Sequence, residues 1–429
     1  MGAMNQSPPA PEPGYGNVSR HPGPLSGIRI CDLSGQLAGA GATRVLAAFG
    51  AQVIRIEDPV TKGLWDIVRQ LPPYLNGDRS HDGGAGFNNH NVEKLGITID
   101  LRQERGKDLL RQLVKVSDAV TENFAAGVME RLGFGYEQLR DLKADIVYVS
   151  NSGFGHSGPY RDFKSWGPIA QAVSGLTWAS GLPDKEPAGW GYSYMDHTGG
   201  YLMAIGLLAA LWHRKRTGEG QWVDMSCSEA AIALNGPALL DATVNGRTMR
   251  RPGQPDSNHS EAPAMAPHGI YPCADEDSWA AIACRDDDDW RALAAVVDEP
   301  WADPALSLTA RKADEEALDK QVAGWTSRRP RDEVVALVRR AGVPCSPVLR
   351  PAERCDTDSD NQAWGLFPTV THTRHGEVRV DGLPVHLSAS DWHMGRGGPM
   401  LGEHNDRVLS EVLGLTADEI SSLRDEKVI

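Results

Sequence analysis

Short apolar runs alternate with helical stripes through the first half of this chain. Residues 109–114 place four apolar side chains on one helical face. Short strands are predicted at residues 28–33, 53–57, 97–101, 119–121 and 146–150. Strands that alternate with helices predict right-handed crossovers and a largely parallel sheet. We therefore expect an α/β fold whose ligands bind at the carboxyl ends of the strands.

The pattern changes beyond residues 235–260, where loop-forming residues cluster. Past this point the expected elements are hairpin strands at 269–273 and 279–283, helices at 290–297 and 331–341, and a strand at 343–348. Two further helices are expected at 406–413 and 416–423, and a capping box of Thr416 and Glu419 opens the second. The second half therefore predicts a smaller α+β domain and a helical C-terminal segment.

A length of 429 residues exceeds one ordinary core, so two domains are expected. We expect a Pro- and Gly-rich flexible tail at 1–22 and a large domain at 23–235 that is completed by 376–429. The smaller domain is expected at 255–375, with linkers at 236–254 and at about 370–385.

The composition excludes several classes of protein. The net charge of −14 argues against a general nucleic-acid binder, because phosphate neutralisation needs clustered Lys and Arg. The longest apolar run is Tyr201 to Trp212, about 12 residues, whereas a membrane helix needs about 20. The six cysteines are scattered, without metal-ligand spacing, which favours reduced thiols. We expect a cytoplasmic protein without nucleic-acid or membrane partners.

Asp196 is the candidate for chemistry. It precedes Gly199, Gly200 and the apolar helix, so its carboxylate is expected at a helix N-terminus, where backbone N–H groups favour the ionised form. The two glycines allow another chain or molecule to approach the backbone. Such a carboxylate can act as a nucleophile toward an activated acyl group. The alternative is that Asp196 only caps its helix.

Three other chemistries are weakly supported. The turn Gly35–Gly41 imitates a dinucleotide fingerprint but lacks its third glycine, so a tight strand-to-helix turn is favoured over NAD binding. Four consecutive acids at 286–289 are better explained as a solvated helix start than as a metal site. Residues 150–153 do not supply the GxSxG motif of a serine hydrolase. No metal site is expected.

An ordered set of short segments across residues 23–429 resembles the class III CoA-transferase family, which includes formyl-CoA transferase, carnitine CoA-transferase and α-methylacyl-CoA racemase. The segments are residues 27–33, 50–57, 94–101, 122–124, 131–133, 153–155, 158–159, 170–172, 196–199, 216–221, 262–263 and 401–404. The resemblance implies a Rossmann-like large domain, a smaller α+β domain and an intertwined homodimer.

The resemblance also implies a mechanism and a set of site residues. The family aspartate matches Asp196, which would carry CoA from an acyl-CoA donor to a small carboxylic acid through aspartyl anhydride and aspartyl-CoA thioester intermediates. CoA is the implied co-substrate, and no metal is implied. The residues implied to bind CoA are Leu37, Ala38, Ile99, Arg102, Asn123, Phe124, Arg131 and Lys164, and those implied for the substrate pocket are Trp166 and Gln171.

The chain departs from the family pattern at two positions. Asp58 stands where a basic residue is usual after the second strand, which weakens one contact to CoA phosphate. Gly167 stands where formyl-CoA transferase carries an acid, which argues against formate and oxalate as the natural pair. Two alternatives remain: an epimerase of the α-methylacyl-CoA racemase type, whose His–Asp pair has no match at 166–168, and a non-catalytic CoA-binding paralogue.

Overall fold

The computed structural model describes residues 23–182, 185–191, 193–251 and 257–429. The expected tail at 1–22 lies outside the described residues. The described chain forms two compact units. The first contains residues 23–180, Ala188–Arg247 and Ser359–Ile429, and the second contains Thr248–Asp358 together with the short segment Gly181–Pro187.

The first unit is built on a parallel sheet. Its strands are β1 (Arg29–Asp32), β2 (Gln52–Glu57), β3 (Leu95–Thr98), β4 (Ala119–Glu122), β5 (Val147–Ser152) and β6 (Trp222–Ser226). Within the described residues these six strands lie in the order β3-β2-β1-β4-β5-β6, and every neighbouring pair is parallel. This is the doubly wound order, and it confirms the α/β prediction with a parallel sheet.

Helices alternate with these strands and cover the sheet. They are α1 (Ala38–Ala48), α2 (Ala85–His90), α3 (Glu104–Lys115), α4 (Val128–Leu132), α5 (Tyr136–Leu142), α6 (Gly167–Val173), α7 (Tyr194–Thr217), α8 (Cys227–Leu234) and α9 (Gly236–Asn245). The predicted stripe at 109–114 lies on α3 and is buried in a core cluster with β2, β3 and β4. Burial of each such side chain contributes about 1.5–3 kcal/mol.

Two details of the sheet differ from the prediction. The third strand was expected at 97–101 but is Leu95–Thr98, because the Asp100 carboxylate accepts the Arg102 backbone N–H at 3.1 Å and turns the chain into α3. Strand β6 was not predicted. It lies at the end of the sheet order with partly exposed side chains, so it lacks the apolar run that marks a buried strand.

The second unit combines short strands with helices. Its strands are β7 (Ser260–Glu261), β8 (Ala264–Met265), β9 (His268–Pro272), β10 (Trp279–Ala283) and β11 (Cys345–Pro347), and its helices are α10 (Asp287–Val297), α11 (Leu308–Ala313), α12 (Glu315–Thr326), α13 (Arg331–Arg340) and α14 (Pro351–Asp356). Strands β9, β10 and β11 form an antiparallel sheet. The Asp286 carboxylate caps α10 by accepting the N–H groups of Asp288 and Asp289, so the acidic run is a helix start.

The C-terminal segment returns to the first unit. It contains α15 (Ser359–Trp364), β12 (Thr369–His372), β13 (Gly376–Arg379), α16 (Asn405–Glu411) and α17 (Ala417–Asp425). Val408, Leu409, Ile420 and Leu423 are buried in the same core cluster as α3. The predicted capping box of Thr416 and Glu419 is present.

Both segments expected as linkers contain regular structure. Helix α9 occupies the first ten residues of 236–254, and the hairpin of β12 and β13 lies within or beside 370–385. Leu240 and Val244 are four positions apart, which is the spacing of one helical face, and the chain forms α9 although loop-forming residues follow this helix. Among the described residues, no helix has both the length and the apolarity needed to cross a membrane.

A buried polar network holds the first turn of the sheet in place. Asp32, at the end of β1, accepts hydrogen bonds from the hydroxyls of Ser34, Thr43 and Thr121. Lys94 Nζ lies 3.3 Å from the same carboxylate and also donates to the Ala40 carbonyl in α1. These bonds tie α1 to strands β1 and β4 and to the residue that precedes β3, which fixes one wall of the cavity described below.

Candidate active site

Asp196 lies in the first turn of α7. The residue at the N-cap position is Ser193, which has a positive φ of 53°, and the Asp196 backbone N–H donates to the Ser193 carbonyl at 2.9 Å. Asp196 therefore does not occupy the capping position, which was the alternative explanation for its presence. Its carboxylate is half-buried at the positive end of the helix dipole.

The Asp196 carboxylate packs directly against Gly167, the first residue of α6. A Cβ built on Gly167 would lie 2.5 Å from Asp196 Oδ2, so a larger residue here displaces the carboxylate. Burial raises the pKa of Asp196, while hydrogen bonds from the Ser193 hydroxyl and the Gly167 backbone N–H, together with the nearby His197, oppose this rise. The carboxylate is thus less solvated than that of an ordinary surface aspartate.

The two glycines after Asp196 permit close packing, as the sequence predicted. A Cβ on Gly200 would lie 2.7 Å from the Ala38 carbonyl oxygen, so α7 approaches the backbone of α1. A Cβ on Gly199 would lie 2.9 Å from Cys227 Sγ. These approaches bring α1 and the start of α8 against the helix that carries Asp196.

A cavity of about 740 Å³ opens beside Asp196. The predicted site residues that line it are Leu37, Ala38, Asn123, Phe124, Lys164, Trp166 and Asp196. They come from the start of α1, the end of β4, the loop before α6 and the start of α7. The cavity therefore opens at the carboxyl end of the parallel sheet, where the fold predicts a ligand.

Asn123 joins two walls of this cavity. Its Oδ1 accepts the Gly35 backbone N–H at 2.8 Å, and its Nδ2 donates to the Gly35 carbonyl at 3.0 Å. The Phe124 backbone N–H donates to the buried Glu122 carboxylate at 2.6 Å, and the Phe124 ring lies 5.3 Å from the ring of Trp65. The turn after β4 is thus held rigidly against the turn after β1.

Four of the predicted site residues do not line the cavity. Ile99 is buried in the core of the first unit. Arg102 Nε lies 2.7 Å from Asp100, and its Nη2 lies 3.4 Å from Asp58, the residue that replaces the usual basic one. Arg131 is exposed at the end of α4.

Gln171 is the fourth of these residues. It is buried in α6, one turn beyond Gly167, where its Oε1 accepts the Trp190 backbone N–H at 3.2 Å.

Several lining residues were missed by the sequence analysis. They are Gln36, Trp65, Asn151, Ser152, Ser193 and Cys227. Asn151 and Ser152 end β5, so their place at the carboxyl end of a predicted strand was a signal that could have identified them. Trp65 and Cys227 lie in segments with no recognisable motif, and only the folded chain brings them here.

The cavity has few charges. Among its described lining residues, Lys164 is the only cation, Asp196 is the only carboxylate and there is no histidine. Across residues 23–182, 185–191, 193–251 and 257–429, no group of three or more His, Cys, Asp or Glu side chains could hold a metal ion. A half-buried carboxylate with neutral donors around it suits acyl chemistry.

Comparison with known proteins identifies the family. Residues 25–405 match the model of CoA-transferase family III. The chain therefore belongs to CoA-transferase family III and is an enzyme of the class III CoA-transferases.

Three relatives illustrate the similarity. The chain is 32% identical to succinyl-CoA–D-citramalate CoA-transferase of Chloroflexus aurantiacus over 96% of this chain and 99% of that protein. It is 30% identical to formyl-CoA:oxalate CoA-transferase of Streptomyces coelicolor over 94% of this chain and 99% of that protein. A CaiB/BaiF family protein from Brucella suis has a similar crystal structure, with a TM-score of 0.81 at 28% identity over 91% of this chain and 100% of that chain.

Proposed function

We propose that this chain moves CoA from an acyl-CoA donor to a free carboxylic acid, with Asp196 as the covalent nucleophile. The observation that carries the proposal is that Asp196 is the only carboxylate among the described residues lining the cavity. It is half-buried against Gly167, in a place where a thioester can reach it. A carboxylate held in this way is a competent nucleophile toward acyl groups.

The proposed chemistry balances without a further reagent. An oxygen of Asp196 adds to the thioester carbonyl carbon, and the carbon–sulfur bond breaks to release the CoA thiolate and leave an aspartyl mixed anhydride. The thiolate then attacks the aspartyl carbonyl, giving aspartyl-CoA thioester and the first free acid. The acceptor carboxylate attacks the aspartyl carbonyl of this thioester, and the carbon–sulfur bond breaks to give a second mixed anhydride and the CoA thiolate. The thiolate then attacks the acceptor's acyl carbon, which gives the new acyl-CoA and releases the Asp196 carboxylate. The overall reaction converts one acyl-CoA thioester into another, so the starting and final acyl groups are of similar energy.

The proposed CoA site uses the residues carried over from the family. Leu37, Ala38, Asn123, Phe124 and Lys164 line the cavity, so contact of these residues with the thioester arm is consistent with their positions. For Ile99, Arg102 and Arg131 the proposal rests on the resemblance alone. Lys164, together with the two arginines, would meet the phosphates of CoA.

The acids and the assembly are also proposals. The relatives' names include citramalate and oxalate, both small carboxylic acids, so a small carboxylic acid is the proposed acceptor class. A homodimer is supported by exposed apolar side chains, for example Ile205 and Trp212 on α7 and Val244 on α9. A cytoplasmic location is supported by the scattered placement of the cysteines, which lack metal-ligand spacing, as is usual for reduced thiols.

Intact-protein mass spectrometry tests the covalent step. The protein is mixed with succinyl-CoA, acetyl-CoA or an aromatic acyl-CoA and then treated with hydroxylamine, which converts an activated aspartyl group into a stable hydroxamate. We expect a hydroxamate at residue 196 in the wild type and none in Asp196→Asn. If no donor gives the adduct, but free CoA binds, the non-catalytic alternative is correct.

The epimerase alternative predicts a different result. It requires exchange of the α-hydrogen of an acyl-CoA with solvent deuterium without acyl transfer. Proton exchange on both faces of a carbon needs two groups, and no histidine or second carboxylate stands among the described lining residues. His197 is exposed, with its ring 5.5 Å from that of His90. We therefore expect acyl transfer without α-deuterium incorporation.

A further inference from the structure

Two polar side chains at the end of β5 have atoms without partners. Asn151 and Ser152 are 3% and 6% exposed, and within the described residues Asn151 Nδ2 and Ser152 Oγ have no hydrogen-bond partner. Burial of an unpaired donor costs about 1–3 kcal/mol, so such groups in native proteins need an explanation. Both residues line the cavity beside Asp196, which indicates that their partner is a ligand.

A neighbouring cysteine sets the orientation of Asn151. The Cys227 thiol donates to Asn151 Oδ1 at 3.2 Å. Because the thiol is the donor, the carbonyl end of the amide faces Cys227 and the NH₂ end faces away from it. Burial raises the pKa of Cys227 to about 12, which keeps the thiol protonated as this bond requires.

The free amide lies against the helix that carries Asp196. Gly199 follows Asp196 by three residues, so the two share a face of α7. A Cβ on Gly199 would lie 3.8 Å from Asn151 Nδ2, as well as 2.9 Å from Cys227 Sγ. The glycine therefore leaves the room that lets the end of β5 approach the nucleophile.

We propose that Asn151 Nδ2 and Ser152 Oγ donate hydrogen bonds to the acyl oxygen of the substrate bound at Asp196, and that Cys227 positions the Asn151 amide. The inference rests on the proposed acyl transfer. When an Asp196 oxygen adds to the carbonyl carbon, the C=O electron pair moves onto the carbonyl oxygen, and it returns when the thiolate leaves. Neutral donors aimed at this oxygen are stronger partners for the oxyanion than for the ground-state carbonyl.

Two other polar side chains near Asp196 are less suited to contact the acyl oxygen. Lys164 is exposed, whereas Asn151 and Ser152 are buried residues of the cavity lining. Gln171 Nε2 is also unpartnered within the described residues, but Gln171 does not line the cavity. The two β5 side chains are therefore the pair placed to meet a reacting acyl group.

The kinetic test uses Ser152→Ala and Asn151→Asp, with Ser410→Ala on α16 as a matched surface control. Ser152→Ala removes an unpaired buried hydroxyl, so it is not expected to lower the melting temperature. We expect each site variant to lower kcat about 100- to 1,000-fold, because each removes one oxyanion donor. The KM values for donor and acceptor are expected to change little, because the lost bond forms only in the transition state.

Variants of Cys227 test the positioning role. Cys227→Ala leaves the Asn151 amide free to rotate, so kcat is expected to fall, whereas Cys227→Ser supplies a hydroxyl donor and is expected to restore most of the lost rate. Equal activity of the alanine and serine variants would exclude the positioning role.

Two outcomes separate this inference from the function on which it rests. If the wild type forms the residue 196 hydroxamate while Ser152→Ala and Asn151→Asp both keep wild-type kcat, the inference is wrong and the proposed function stands. A rise confined to the acceptor KM also overturns it, because that result means binding of the free carboxylate. If the wild type forms no hydroxamate and transfers no CoA, the proposed function itself is wrong.

Discussion

Gly167 and Asp196 stand in direct contact: the position of a Cβ on Gly167 is 2.5 Å from Asp196 Oδ2 and 2.9 Å from its Cγ. The two residues are separated by 29 positions in the chain and lie on α6 and α7. The absence of a side chain at position 167 is therefore a condition for the observed place of the carboxylate. The glycine at position 167, where formyl-CoA transferase carries an acid, therefore leaves room for the Asp196 carboxylate.

Gly167→Ala is expected to displace the Asp196 carboxylate, because real Cβ atoms do not approach other atoms as closely as 2.5 Å. Displacement of a reacting group by about 1 Å lowers the rate roughly 100-fold, so kcat for CoA transfer is expected to fall by about that factor. Gly189→Ala is the matched control, since a Cβ there has no neighbour within 4 Å. Similar kcat values for the two variants would contradict the argument.

The pH dependence of acylation follows from the raised pKa of Asp196. Only the ionised carboxylate is a nucleophile, and burial raises its pKa above the ordinary 3.8. On acidification, the single-turnover rate of acylation is expected to fall with a midpoint above that value. His197→Gln removes a group that lowers the pKa of Asp196, so its midpoint is expected at higher pH than in the wild type. A midpoint that moves down in this variant would refute the assignment.

Lys164 is expected to act on the charged part of CoA. Loss of a charge-assisted hydrogen bond of about 1.5–3 kcal/mol predicts a rise of roughly tenfold or more in the KM for acyl-CoA in Lys164→Ala, with recovery in Lys164→Arg. A matching acyl-pantetheine, which lacks the nucleotide phosphates, serves as the control substrate. Its KM is expected to be the same in the wild type and in Lys164→Ala. An equal loss with both substrates would place Lys164 at the acyl group instead.

Glu122 predicts a pH-dependent stability. Burial raises its pKa from 4.5 to about 7, against the hydrogen bonds from the Phe124 N–H and the Tyr148 hydroxyl. A carboxyl group with a raised pKa binds its proton more tightly in the folded state, so stability falls as the pH rises from 4.5 to about 7. The wild type is expected to lose on the order of 2 kcal/mol more than Glu122→Gln between pH 5 and pH 8. Urea unfolding measures this difference, and parallel curves would show that Glu122 does not titrate in this range.

Local pattern was sufficient for much of the fold. Strand β10 was predicted with its exact bounds, because an apolar run between turn residues has few other solutions in a short segment. The capping box of Thr416 and Glu419 was also predicted, since its two hydrogen bonds join residues only three positions apart. Strand β6 and helix α9 were missed, because their side chains are largely exposed and their signals lie close to those of loops.

The amino-acid sequence alone determined the parallel α/β architecture, the place of Asp196 at the start of an apolar helix and the need for small residues after it. Only the tertiary structure decided what surrounds that carboxylate. Gly167 meets it across the packing of α6 on α7, and Cys227 meets Asn151 although 76 positions separate them. Such contacts have no local periodicity, because they depend on the order of strands in the sheet and on how closely two backbones can approach.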